Sequence, residues 1–207
     1  RALAPAPRVV LLDEPFSSLD VEVRLRLRSE LASVLDACGA SGVIVTHDPG
    51  EALAICDRVA VMRDGKLHQC ASPPEIVRSP ATPFVGSFVL QRNLIPLQAH
   101  GQGQLSCLLG DLDASAPWVK DDRKAYGDCC VLVDPHDINV VADAEGEASV
   151  LGREFLGDAW EYRLRVADVL VRAHCPIEQE HPPHTRCRLS FRDGARVTLL
   201  PLGQALA

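Results

Sequence analysis

Asp13 and Glu14 directly follow a short aliphatic run at residues 8–12, and His47 follows a second run at residues 43–46. Two adjacent carboxylates and an imidazole are the groups that phosphoryl transfer employs. A carboxylate at a strand end can hold Mg²⁺ through its water shell. A second carboxylate can orient or deprotonate the attacking water. An imidazole on the neighbouring strand can reach a terminal phosphate. An acidic strand-to-turn junction without function carries the same residue types, so the flanking elements must decide between the two.

Those elements form a consistent order. Asp20 is placed to cap a helix running to Cys38, with Leu27, Leu31, Val34, Leu35 and Cys38 on one face at 3–4 spacing. Gly39 and Gly42 end it. Asp48 and Pro49 read as N-cap and first position of a second helix, residues 49–56. Strand, helix, strand, helix favours a parallel pair with a right-handed crossover. Both runs are apolar throughout, as strands covered on both faces require. In such a pair the carboxyl ends open on one edge, where α/β proteins bind ligands, so Asp13, Glu14 and His47 are expected to converge. A hairpin over residues 58–70 turns at Asp64-Gly65, and a short helix follows at residues 74–77.

The neighbouring residues carry a resemblance. Leu11-Leu12-Asp13-Glu14-Pro15-Phe16-Ser17-Ser18-Leu19-Asp20 resembles the Walker B and D-loop segment of ABC ATPases. Val45-Thr46-His47-Asp48 with Glu51-Ala52 resembles the switch-histidine segment that follows it, although Pro49 stands where many relatives carry Gln. The hairpin and the Pro74-Glu75-Ile76 turn resemble the end of an ABC import cassette. The resemblance implies ATP and Mg²⁺ as cofactors, Asp13 at the Mg²⁺ site, Glu14 as catalytic base and His47 against the γ-phosphate. It also implies that Ser18 and Asp20, in the D-loop, contact nucleotide or a second cassette across a dimer interface.

The chain contains no GxxxxGK[ST] loop and no LSGGQ signature. Arg1-Ala2-Leu3-Ala4 resembles the helix segment that follows the signature, so the expectation is a C-terminal part of a P-loop NTPase cassette over residues 1–90. By itself it is expected neither to bind ATP tightly nor to hydrolyse it. Partners implied by the resemblance are transmembrane permease subunits, a second ATPase subunit and, indirectly, a periplasmic solute-binding protein. The implied location is cytoplasmic, peripheral on the inner face of the plasma membrane.

Helical periodicity gives way over residues 91–105, and the domain boundary is expected within residues 87–93. Short strands are expected at residues 130–133, 138–141, 149–155, 159–166, 169–174, 187–191 and 195–199, separated by Gly, Pro and Asp. That spacing suggests a small barrel. Residues 91–207 resemble the TOBE-type, OB-like domain of ABC importer ATPases, best at residues 131–138 and 152–157, where Asp134 replaces the usual Arg. Its implied roles are dimer contact and regulation. A net charge of −7, a pI near 5.5 and 4% aromatic residues argue against a nucleic-acid partner. No apolar run approaches the ~18 residues that span a bilayer.

His174, Cys175, His181, His184 and Cys187 make one segment dense in possible metal ligands, with His181 and His184 three apart. Against a site, there is no CxxC, and Pro182-Pro183 restricts the loop. The eight cysteines are read as reduced and mostly buried as small apolar residues. Residues 84–96 look most like ferric-iron importer ATPases, while polyamine, sulfate, thiamine and sugar importers share the architecture. Two other readings are a non-transport ABC ATPase, disfavoured by the β domain and the acidic charge, and a non-catalytic regulatory or interaction module.

Overall fold

The computed structural model describes residues 6–100, 104–113, 115–116, 119–121 and 128–201. The expectation placed on Arg1-Ala2-Leu3-Ala4 lies outside them. The chain divides into two compact units, Arg1–Ala81 and Thr82–Ala207.

The first unit has mixed strands and helices. Strand β1 (Val9–Asp13) pairs in parallel with β2 (Ser41–Val45), from Val9↔Ser41 to Asp13↔Val45. Parallel strands need a crossover, and helix α1 (Val21–Ala37) supplies it. Asp20 caps α1 by accepting from the Val23 backbone N–H at 3.0 Å. Gly39, at φ +60°, ends the helix in the left-handed conformation that glycine adopts without a steric penalty. Helix α2 (Pro49–Ile55) follows, then the antiparallel hairpin β3 (Val59–Arg63) and β4 (Lys66–Ala71), and α3 (Pro73–Arg78). Asp64 and Gly65 both have positive φ, as the expected two-residue turn requires.

One expectation fails here. The β1–β2 strands are not covered on both faces: Leu11 is 77% exposed, Val45 58% and Val9 54%, and among them only Val10 is buried. Two strands and one helix cannot enclose both faces of a sheet. The apolar composition of these strands therefore outruns the burial that residues 6–81 provide.

The second unit is almost wholly β. A π-helical turn (Val85–Val89) leads into β5 (Asn93–His100), β6 (Gln104–Cys107), β7 (Gly110–Asp113), β8 (Val119–Asp121) and β9 (Cys129–Val133). A 3₁₀ turn (Pro135–Asp137) precedes β10 (Ile138–Ala142), β11 (Ala148–Phe155), β12 (Ala159–Val166), β13 (Val169–Pro176), β14 (Arg186–Phe191) and β15 (Val197–Pro201). One sheet has the order β10-β14-β11-β12-β13 and the other β7-β6-β5-β9-β15-β8. Alternate residues of both contribute to one aliphatic core that includes Ile95, Val131, Ile138, Val150, Leu164, Val171 and Leu199. Strands β5 to β8 were not expected from the sequence. β6, β7 and β8 are only three or four residues long, and Pro96 interrupts β5, so no strand period stands out.

The break falls at residues 81 and 82 rather than within 87–93. The cause is packing. Val85 and Val89 are buried, and a Cβ on Gly86 would lie 2.2 Å from the Leu132 Cδ1. The turn therefore belongs to the β unit.

Candidate functional site

Strand β1 ends at Asp13, and the next residue leaves the strand direction abruptly. Glu14 sits at φ 47°, a left-handed conformation that costs a non-glycine residue roughly 1 kcal/mol or more. Neighbouring bonds hold it there. The Glu14 N–H donates to the Val45 carbonyl at 2.8 Å, and the Glu14 carbonyl accepts from the Ser17 hydroxyl at 3.0 Å and the Ser17 N–H at 3.3 Å. The turn aims the Glu14 carboxylate across the strand pair at His47.

Glu14 Oε1 accepts from the His47 backbone N–H at 3.1 Å and lies 2.7 Å from Nδ1 of the same ring. One oxygen thus binds the chain at the end of β2 twice. The imidazole side chain is 78% exposed and the Glu14 side chain 34%. The hydrogen bond to Glu14, then its charge, pushes the His47 imidazole above its ordinary value, and Glu51 and Asp48 add smaller contributions. This pairing therefore stabilises the junction fully below about pH 6.5 and loses its contribution as pH rises through the raised value. Asp13, opposite Val45 in the register, is exposed at the same edge. Of the three residues expected to converge, Glu14 and His47 are in contact, and Asp13 is the last residue of β1 beside them. Ser18 is exposed in the turn after Glu14, and Asp20 is engaged as the α1 cap.

Thr46, Asp48 and Glu51, together with Arg28, which the sequence did not single out, hold this edge from behind. Asp48 caps α2 by accepting from Gly50 N at 2.8 Å and Glu51 N at 3.4 Å. Thr46 Oγ1 donates to Glu51 Oε2 at 2.7 Å and accepts from the Asp48 N–H at 3.1 Å. Arg28, from α1, reaches Glu51 Oε1 at 3.0 Å and Asp48 Oδ2 at 3.3 Å. The Glu51 side chain is 4% exposed and the Arg28 side chain 17%, so this is a nearly buried ion pair. It fixes the strand-to-helix turn that carries His47. The available signal was Arg28 lying beside the apolar stripe of α1, within reach of the acidic first turn of α2.

The donor chemistry fits part of what the resemblance implies. Asp13 offers a hard oxygen ligand of the kind Mg²⁺ takes. Glu14 can accept a proton from water once its oxygen leaves His47. Nothing in the described site supplies the row of backbone N–H groups that cradles phosphates.

The five candidate ligands of the second unit do not converge. His174 and Cys175 are adjacent on β13 and point to opposite faces. Cys175 and Cys187 enter the core, where burial pushes the Cys175 thiol up to about 11 and the Cys187 thiol upward as well, keeping both protonated. His181 packs on the Tyr162 ring at 5.5 Å, and His184 lies in the connection before β14. Among the described residues no group of three or more His, Cys, Asp and Glu side chains could hold a metal ion. Strand alternation separates what sequence proximity had grouped.

No protein-family model matches the chain. Curated proteins do. The sulfate/thiosulfate import ATP-binding protein CysA of Brucella melitensis is 34% identical over 93% of this chain and 52% of its own length. The spermidine/putrescine import ATP-binding protein PotA 1 of Pseudomonas aeruginosa is 35% identical over 81% of this chain and 47% of its own. The Fe(3+) ions import ATP-binding protein FbpC 1 of Rhodococcus jostii is 35% identical over 100% of this chain and 57% of its own. The chain thus spans about half the length of the curated relatives it matches.

Proposed function

We propose that this chain, a homologue of the ATP-binding subunits of ABC importers, carries the hydrolysis side of a nucleotide site in an import ATPase. The observation that supports this most is the Glu14 carboxylate, strained out of its strand and bonded across the pair to His47. Its geometry gives each group a role. Asp13 would hold Mg²⁺, which when bound supplies charge neutralisation for the transferred phosphate. Glu14 releases the His47 ring and takes the proton of the attacking water. His47, freed, can donate a ring N–H toward the terminal phosphate. Ser17, Ser18 and Asp20 form the exposed turn that a second cassette would face. The Arg28–Glu51–Thr46 network keeps His47 in register through each cycle.

The all-β second unit supports a TOBE-type reading with regulatory and dimer-contact roles. Transmembrane permease subunits, a second ATPase subunit and a periplasmic binding protein are the proposed partners, with the protein peripheral on the cytoplasmic face. Among the described residues no helix is long and apolar enough to cross a membrane. The net charge of −7 disfavours nucleic acid. For cargo, the relatives are named for sulfate/thiosulfate at 34–41% identity, for spermidine/putrescine at 35% and for ferric ions at 31–35%, and these names do not resolve one cargo for this chain. The ferric-iron reading rests on residues 84–96. There Val85, Gly86 and Val89 are buried and Phe84 stacks on Phe88 at 5.3 Å, features that packing alone explains.

ATP binding and turnover by this chain, measured beside a version extended upstream through a GxxxxGK[ST] loop, test the proposal. Binding and hydrolysis are expected only in the extended protein, and Glu14→Gln there should abolish hydrolysis while retaining an ATP-bound dimer. Wild-type turnover in the extended Glu14→Gln variant overturns the assignment of the base.

A further inference from the structure

Outside the nucleotide edge, one side-chain arrangement in the β unit has no role so far. Asp134, at the end of β9, accepts from the His136 backbone N–H at 3.0 Å and lies 2.9 Å from His136 Nδ1. On β13, His174 Nε2 lies 2.9 Å from Glu161 Oε2 of β12. The two remaining ring nitrogens, His136 Nε2 and His174 Nδ1, face one another at 2.9 Å with the rings nearly perpendicular. Glu161 and His174 are cross-strand partners in the β12–β13 register, so their contact is built into the sheet.

Proton placement makes this arrangement informative. Each carboxylate needs a ring N–H from its histidine, which puts the single proton of each neutral imidazole on the remote nitrogen. The facing nitrogens then both present lone pairs. Two lone pairs at 2.9 Å repel unless a cation lies between them. The carboxylate on the far nitrogen of each ring is also the outer-shell partner that metal-ligating histidines almost always have, fixing the tautomer and raising ligand basicity.

We propose that His136 Nε2 and His174 Nδ1 form a two-imidazole site for a borderline divalent cation such as Zn²⁺ or Ni²⁺, with Asp134 and Glu161 as its outer shell. Imidazole nitrogen suits these ions and not Mg²⁺ or Ca²⁺. Tetrahedral Zn²⁺ with Zn–N near 2.0–2.1 Å needs the nitrogens about 3.4 Å apart, an opening of about half an ångström. His136, with a side chain 68% exposed on a 3₁₀ turn, can supply that motion, while His174, 16% exposed, stays fixed by Glu161. Water completes the coordination on the open His136 side. Arg192, which donates to the His174 carbonyl at 3.2 Å, holds the strand. The site differs from the five-residue segment expected from sequence. It keeps only His174 and recruits a partner 38 residues away.

Calorimetric titration of the full 207-residue chain with ZnCl₂ at pH 7.5, with MgCl₂ as the control ion, tests this. One zinc equivalent should disappear, or weaken more than 10-fold, in His136→Gln, and Asp134→Asn should weaken it about 10–100-fold. His184→Gln should leave it unchanged. Equal zinc stoichiometry and affinity in wild type and both of the His136 and Asp134 variants overturns the proposal. So does a wild-type chain that takes up no zinc, in which case the pair shares a proton only.

Discussion

Glu14 is the residue on which the β1–β2 edge turns. Its backbone is held left-handed, and its carboxylate oxygen serves both the N–H and the ring of His47. Because that oxygen raises the His47 imidazole, the ring should titrate above 6.5 in wild type. In Glu14→Gln the charge is gone, and the titration, followed by the NMR shift of the ring proton, should fall back toward 6.5. An unchanged titration in the variant would assign the shift to another group. Since the shift is upward, the folded state should lose this stabilisation as pH rises through the raised value and keep it below the ordinary one.

Elements hold these residues in place through buried polar joints. Between α1 and α2, Arg28 meets Glu51 and Asp48 where little water reaches. Glu51→Ala leaves Arg28 with Asp48 alone. The expected cost is about 3 kcal/mol, near the lower end for breaking a buried pair, measured by urea unfolding followed by circular dichroism. In the β unit, Asn93 does comparable work. Its amide donates to the Arg172 carbonyl and accepts from the Arg172 N–H, both at 2.8 Å, linking β5 of one sheet to β13 of the other. With Asn93 only 6% exposed, Asn93→Ala strands both backbone groups and should cost about 1–3 kcal/mol in the same measurement.

At the scale of the molecule, the two units differ in how completely they bury their apolar residues. The β unit encloses a large core with a smaller cluster of Cys130, Leu132 and Leu200 beside it, whereas β1 and β2 leave Leu11, Val9, Val43 and Val45 exposed. Leu11→Ser should therefore change the stability of this chain by no more than about 0.5 kcal/mol. In a version extended upstream toward the length of the relatives, where further strands and helices can cover that sheet, the same change should cost about 2 kcal/mol or more. Equal small effects in both would mean that the face stays open in the longer protein.

The sequence by itself determined local structure and the strand edge that carries Asp13, Glu14 and His47. Asp20, Asp48 and Asp64-Gly65 act within a few residues, so their caps and turn were readable directly, and apolar runs ending in Asp13-Glu14 and His47 put those groups on one strand edge. The fold of the β unit was half legible: seven strands showed between turn residues, and β5 to β8 did not because Pro96 interrupts β5 and β6 to β8 are only three or four residues long. Only the tertiary structure decided which side chains meet. Alternation along β13 sent Cys175 into the core and His174 out to His136, and crossover geometry brought Arg28 to Glu51. Such contacts depend on register and chain path across tens of residues, which no local pattern encodes.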